Sequence, residues 1–591
     1  MSTIHYYELE ISFDTPIISQ AIGVLAFGLD SAMQKDTEGY PALSGSLVRG
    51  NIRHALEEFR DIINNNNNDL GNKITDWFGQ RSQVSKKSKL TAENYQSPRA
   101  QVEFDFFWRL NKEDRSKITQ QKRTRISIDK DSGTVKEGAL QIIEDCFPVG
   151  TGEVKLTGQI VAHLSDSECV EFEKWLRKAM DFIPAMASFK GIGFGRICGY
   201  QLKKLTSPYA SETKTPSLGN NTRFNIQLKP DRPFCLGRPK TPDSNHIISS
   251  EIITGNVIKA LIARYYDNNH QRLQDDLCFN QLIISHAQPH QQEQSRQSTI
   301  IPLSYALLDD KLIDCIDSDI STLKWNEVPS FKPDWKDNDI DKIYSALNIK
   351  PITPSHYLSV KTGIEASTGT SKEAELFSLD CIVPDEKTSW NAIVELSNIP
   401  KDKQQDVANK LQAIFNKGLH GLGKTKANAT VTTQASQQSA TLTADQQGYV
   451  TIDLLSAAKM LPTGLRLSPI NSAEALKNHY QAYWQGIHPD IQLEDYFAQQ
   501  QLTSTYYHQK AQGKADHYQP DYLTVAGSVF KLKVNSDKAL QVLQQCLQTG
   551  LPCEGLDRSN EKAWRITPYL PENGYGEIHP HRQLVRKEAG S

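Results

Sequence analysis

Lys190-Gly-Ile-Gly-Phe-Gly-Arg-Ile-Cys-Gly199 is the stretch on which the fold turns. Three glycines separated by single residues let the backbone come close to a polyanion, and Arg196 places a charged donor among them. The bland alternative is a glycine-rich turn after a helix. Upstream, residues 171–182 carry the apolar spacing of an amphipathic helix, and downstream, residues 197–202 resume the alternation of a strand.

Working outward, residues 6–13 and 156–164 read as strands and residues 47–59 as a helix. The asparagine run Asn64 to Asn68 and the Ser/Lys stretch up to Leu90 read as a mobile excursion. A Ser/Thr/Pro/Asn-rich boundary at 207–221 is followed by a similar order of events. Strands are expected at 224–228, 375–382 and 391–396 and helices at 256–266 and 403–415, ahead of a second glycine loop, Gly418 to Gly423. A Thr/Gln/Ser/Ala-rich linker is expected at 431–447, then a strand at 528–533, a helix at 538–547 and a third glycine turn at 574–576. Strand, helix, helix, glycine loop and strand thus recur as a diverged internal repeat. The alternation predicts an α+β protein of tandem ferredoxin-like (RRM-like) domains with glycine-rich loops and insertions. The expected units are 1–208, 221–433 and 448–591, the last completing or following the second.

The second loop, Gly418-Leu-His-Gly-Leu-Gly-Lys-Thr425, matches the phosphate-binding pattern G-x-x-x-x-G-K-[ST]. Such a loop must follow a strand and open a helix whose N-terminus faces the nucleotide. Here a helix precedes and a β-prone stretch follows, so duplication of the first loop explains it better than nucleotide binding does.

With 66 basic and 69 acidic side chains, the net charge of −3 advertises no global nucleic-acid binder, and any such surface must be local. One candidate is the segment from Arg115 to Lys136, where seven basic residues face only Asp129 and Asp131; another is Arg81, Lys86, Lys87 and Lys89. A solvated polar face is the alternative for each. The nine cysteines show no Cys-x-x-Cys and no zinc spacing, as expected of reduced thiols. No leader pattern and no run of about eighteen apolar residues is present, which predicts a soluble cytoplasmic chain without a membrane partner.

The segment from Asp30 to Arg53 holds an Asp in a loop, a Pro41-Ala-Leu-Ser-Gly-Ser46 turn and a helix with basic residues. Residues 125–140, Phe147-Pro-Val-Gly-Thr151 and the 190–199 loop follow in order. This set resembles the RAMP superfamily of CRISPR proteins, and looser copies occur at 248–259, 361–377 and 418–426. The resemblance implies two fused RAMP domains in a backbone subunit of a type III effector complex of antiviral defence, with guide RNA, target RNA and neighbouring subunits as partners.

Local chemistry fits that reading. Ser44 and Ser46 with the amides of Gly45 and Leu47 can start a helix that holds a phosphate, and Arg49 and Arg53 share one helix face. Arg123, Arg125 and Lys136 of the basic segment, Lys190 and Arg196 of the first loop, Lys259, and Lys424 and Lys426 of the second loop complete the expected RNA-binding set. The basic segment, with Ile126, Ile128, Val135 and Leu140 interleaved, looks like the β-hairpin thumb of these subunits.

In the nuclease-active subunits that this segment resembles, an Asp at the position of Asp30 cleaves target RNA with a divalent metal. The resemblance therefore implies a metal-dependent endoribonuclease with Asp30 as catalytic residue and Mg²⁺ ligand. Asp36 is the local alternative, and capping a turn is the ordinary role of either. In the second repeat Asp243 lies six residues before Ser249, against fourteen from Asp30 to Ser44, so that copy is expected to hold RNA without cutting. A non-catalytic RNA-binding subunit and a metal-independent repeat-RNA processing endonuclease are the rival readings.

Overall fold

The computed structural model describes residues 4–21, 28–63, 69–79, 100–209, 221–238, 244–267, 269–291, 300–308, 311–317, 339–347, 349, 351–364, 371–436, 440–465, 472–503, 519–554 and 567–582. Residues 64–68 and 80–90 of the expected excursion and most of the 207–221 boundary lie outside these residues, as do Arg81, Lys86, Lys87, Lys89 and Asp243, whereas Asp69–Phe78, between the two parts of the excursion, is a helix with Ile74, Trp77 and Phe78 buried.

The first unit is built on β1 (Ile4–Phe13), β2 (Ala42–Ser44), helix α1 (Gly45–Ile63), α2 (Asp69–Phe78), β3 (Val102–Phe104), β4 (Phe107–Leu110), β5 (Gln121–Arg125), β6 (Gln141–Asp145), β7 (Val154–His163), α3 (Asp166–Phe182) and β8 (Ile197–Leu205). The sheet order is β2-β4-β7-β1-β8, the arrangement of a ferredoxin-like fold with β1 central. Alternation explains β1: Tyr7, Leu9, Ile11 and Phe13 are fully buried on one face. Trp108 fits over this face only because Gly158 on β7 has no side chain; a Cβ there would lie 2.5 Å from the indole. Ser165 and Glu168 form a reciprocal capping box that starts α3.

The second unit repeats the order. It contains β9 (Arg223–Pro230), β10 (His246–Ile248), α4 (Gly255–Arg264), α5 (His270–Leu277), β11 (Ile283–Ile284), β12 (Gln288–His290), β13 (Tyr305–Leu308), β14 (Lys311–Asp314), α6 (Asp339–Ala346), β15 (Ser355–Ile364), β16 (Ser371–Val383), β17 (Ser389–Glu395), α7 (Lys401–Phe415), β18 (Leu419–Leu422) and β19 (Ala427–Ala435). Its sheet runs β11-β17-β9-β19-β18, and the chain between β12 and β17 adds the antiparallel hairpin β15–β16. The 431–447 linker begins later than composition predicts, because residues 431–435 pair with β9 as the end of β19.

The third unit holds β20 (Tyr449–Leu454), α8 (Ser472–Ile487), β21 (Ile491–Phe497), β22 (Gln500–Thr503), β23 (Asp521–Thr524), β24 (Val529–Val534), a helix over Asp537–Thr549 and β25 (Ile578–Pro580). The order β21-β24-β20-β25 is again ferredoxin-like. Each sheet has its own apolar cluster, centred on Trp108, Trp390 and Trp484 respectively. Among the described residues no helix is long and apolar enough to cross a membrane.

Candidate RNA interface

The three glycine loops share one backbone. Each follows the last α-helix of its unit and carries two left-handed glycines two residues apart: Gly193 and Gly195 at φ 93° and 66°, Gly421 and Gly423 at 84° and 66°, and Gly574 and Gly576 at 89° and 71°. The second glycine is held tightly in the first two copies, where a Cβ would sit 1.9 Å from the Met186 carbonyl oxygen or 2.5 Å from that of Cys235.

Their surroundings differ. In the first loop, Lys190, Gly191, Gly193 and Arg196 are exposed, and nothing lies within 4 Å of a Cβ built at Gly191 or Gly193. In the second, Lys424 is exposed and Lys426 half-buried, while His420 is buried against Tyr6 of the first unit, 3.1 Å from its hydroxyl. The third loop is closed: Asn573 is fully buried, and a Cβ at Gly574 would meet His286 Nδ1 of the second unit at 2.6 Å. The second loop runs from α7 through β18 into β19, so it opens no helix, and the nucleotide pattern in it lacks the geometry a phosphate-binding loop requires.

Strands β5 and β6 form an antiparallel hairpin whose far end is tied by an Ile128–Val135 bridge. Ile126, Ile128, Val135 and Leu140 are 52%, 54%, 52% and 58% exposed, so the hairpin presents apolar side chains to solvent beside Lys136, itself exposed. The hairpin base lies on the first glycine loop. The Arg123 guanidinium carbon is 5.1 Å from the Phe194 ring centroid and that of Arg125 is 5.3 Å from Phe189. Arg123 also pairs with Asp145 at 2.8 Å.

Asp30 joins the same surface. It is exposed, its amide donates to the Ile142 carbonyl at 2.8 Å, and its Oδ2 accepts the Ile142 amide at 2.6 Å. Ser31 Oγ accepts from Gln20 Nε2 at 2.7 Å and from Gln141 Nε2 at 3.4 Å, and Ser188 Oγ accepts the Gln20 amide at 3.3 Å. Asp30, the hairpin and the first glycine loop therefore form one connected surface. Asp36 is different: it is buried, and its Oδ1 accepts the Glu38 and Tyr40 amides, the turn-capping role.

Four expected RNA contacts are corrected. Lys259 is fully buried, with Nζ donating to the carbonyls of Leu282 at 2.9 Å and Glu572 at 3.4 Å, and a phosphate chain cannot reach it. Burial, only partly offset by Glu572, lowers its amine to about 7. Arg49 and Arg53 do share a face of α1, but that face meets the end of α2, where they donate to the carbonyls of Phe78 and Gly79. These carbonyls are left over at a helix C-terminus, so the pair caps α2. The Gly45 amide is likewise engaged, donating to the Phe106 carbonyl at 2.9 Å, so the expected phosphate nest at the start of α1 is incomplete. Ser44 and Ser46 remain at the surface, their hydroxyls 2.5 Å apart.

Phe189, Phe194, Gln20, Ser31 and Gln141 are the site residues that sequence reading missed. Two phenylalanines flanking the Lys-Gly-Ile-Gly core were the available signal; their arginine partners lie far off along the chain.

Among the described residues, Asp30 is the one that would hold the implied Mg²⁺ here, with one carboxylate oxygen beyond the Ile142 bond. Mg²⁺ commonly keeps several waters and binds one or two carboxylates with substrate phosphates, which suits such a sparse site. Among the described residues, the one group of three donors within 4.8 Å is Asp314, Asp317 and His581, elsewhere on the chain. There both His581 nitrogens already bond to Asp314 and Asp453, which suits an imidazolium and not a metal ligand.

A family model of the RAMP superfamily matches residues 15–200. The chain carries a RAMP domain. The match spans β2 to the start of β8 and so contains Asp30, the β5–β6 hairpin and the first glycine loop. No curated protein matches the chain. A solved chain from the Type III-B Cmr-beta complex bound to cognate target RNA and AMPPnP is 14% identical, with 60% of this chain and 99% of that chain covered at a TM-score of 0.31. Another, from Cmr-beta bound to cognate target RNA, is 15% identical over 34% and 97% at a TM-score of 0.22. At those scores neither carries an argument, and the fold of the RAMP domain rests on its own sheet order.

Proposed function

We propose that this chain is a guide-RNA-binding backbone subunit of a type III CRISPR ribonucleoprotein, and that it cuts complementary target RNA at one site through Asp30. The observation that carries the reading is the meeting of three features inside the RAMP domain: an exposed carboxylate, a basic hairpin and an open glycine loop. The type III assignment and the nuclease role rest on the sequence resemblance of residues 30–53.

Lys190, Arg196 and Lys136 offer charge to a phosphate backbone, and the glycine loop lets that backbone come close. Arg123 and Arg125 are held in place by aromatic stacking and so are ordered before RNA arrives. A bound Mg²⁺ would supply positive charge beside the scissile phosphate. Asp30 would hold it, and the Ile142 amide fixes the orientation of that carboxylate.

The same hydrogen bond favours a second reading, in which Asp30 only pins the hairpin and the subunit does not cut. Asp30→Asn separates the two, because an amide oxygen can still accept the Ile142 N–H while the negative charge is gone. In the assembled complex with labelled target and Mg²⁺, the first reading expects loss of cleavage with target binding retained. Undiminished cleavage at every site supports the second.

A further inference from the structure

Phe234 and Ile382 exchange both backbone hydrogen bonds, at 3.0 Å and 2.9 Å. In an antiparallel ladder the next position is a non-hydrogen-bonded pair, whose Cα atoms stand about 4.5 Å apart with side chains on one side. Cys235 and Cys381 stand one step on from that bridge, which is an isolated one. The ladder separation lies within the range a disulfide spans, about 4.4–6.8 Å. Their side chains share one apolar cluster, with Cys235 Sγ donating to the Ile247 carbonyl at 3.9 Å and Cys381 Sγ to the Leu379 carbonyl at 3.7 Å.

Both cysteines are fully buried in a small apolar cluster with Phe106, Phe107 and Leu379, which admits a small oxidant far more readily than a bulky one. The neighbouring Cys381 holds the Cys235 thiol below its usual range, and Lys424 and Lys361 act in the same direction against burial. In the reaction proposed below Cys235 is the attacking thiol and Cys381 the resolving one.

We infer that Cys235 and Cys381 are a reversible disulfide site, closed by hydrogen peroxide and reopened by thiol reductants. The Cys235 thiolate attacks one peroxide oxygen, the O–O bond breaks, and the departing hydroxide takes up the Cys235 proton as water. The Cys381 sulfur then attacks the resulting sulfenic acid. The S–O bond breaks, and the second hydroxide leaves as water with the Cys381 proton, so two thiols and one peroxide give one disulfide and two waters.

The bond would sit beneath the second glycine loop, because the Cys235 carbonyl accepts the Lys424 amide at 2.9 Å. On its other side, Cys381 faces Tyr357 across β15–β16, and the Tyr357 hydroxyl accepts from Gln34 of the first unit at 2.6 Å. Oxidation therefore fixes the second loop to the segment that follows Asp30. The inference stands on the ladder geometry and does not depend on RNA binding.

The full-length native protein is treated with hydrogen peroxide, the remaining thiols are alkylated after denaturation, and peptides are mapped without reductant. Two of the nine thiols should be lost, with the Cys235 and Cys381 peptides joined, and dithiothreitol should restore both. In Cys381→Ser, Cys235 should be trapped by dimedone as a sulfenic acid. The inference is overturned if both thiols stay alkylatable, or if they oxidise separately without becoming joined.

Discussion

The Arg125 guanidinium lies over the Phe189 ring, its carbon 5.3 Å from the centroid, and so ties the basic hairpin to the first glycine loop. A cation over an aromatic face at a partly exposed site contributes about 0.5–1 kcal/mol. In a double-mutant cycle with Arg125→Ala and Phe189→Leu, urea unfolding should give a coupling of that size, and each single change should weaken RNA binding. Additive effects would mean that hairpin and loop are independent.

Lys136, Lys190 and Arg196 are exposed on this surface. Reversing each to Glu should lower RNA affinity and reduce the slope of log K against log salt by about 0.7 per lost phosphate contact. Fluorescence anisotropy over a salt series reads both. An unchanged slope would place the RNA elsewhere.

Lys259 should behave in the opposite way. Lys259→Ala removes a buried stem and leaves the Leu282 and Glu572 carbonyls without their donor, so stability should fall by about 2–4 kcal/mol. RNA affinity of the folded variant should not change, as a filter-binding titration would test.

Two histidines make the assembly pH-sensitive with opposite signs. His420 is buried among Tyr6, His163, Tyr265 and Asn428, with Glu103 and Arg264 nearby; burial first, then His163, lowers it to about 4. Its folded value lies below the ordinary 6.5, so the stability it contributes is whole above pH 6.5 and is lost as pH falls through about 4. Burial would lower His581 too, but its bonds to Asp314 and Asp453 outweigh that and hold it at about 9. Its contribution is whole below pH 6.5 and is lost as pH rises through about 9. Each is worth about 3 kcal/mol at most. Denaturant titrations of His420→Asn and Asp453→Asn across pH 4–9 should each flatten one limb of the stability profile and leave the other.

How far sequence reached follows from what periodicity measures. Alternation located β1 and helical spacing located α3, because each reports which side of one element is apolar. The glycine loops were legible because positive φ is largely reserved for glycine. Periodicity does not say what covers a polar face. Arg49 and Arg53 look solvated on α1, yet α2 ends against them; Lys259 looks like an exposed helix cation, yet the third loop closes over it. β11 and β25, with two and three residues, are too short to show any alternation and exist only through their pairing. Within the candidate site, Asp30 was found from the family resemblance of its segment and the basic residues from local charge and glycine patterns, whereas their aromatic and amide partners come from distant segments.

The central claim is that Asp30 cuts. The direct measurement is single-turnover cleavage of a labelled complementary RNA by the assembled complex, comparing the native chain with Asp30→Asn in Mg²⁺ and in EDTA. The account predicts cleavage by the native complex in Mg²⁺ alone, with at least one product missing for Asp30→Asn and target binding unchanged. The same products at the same rate from both complexes would contradict it.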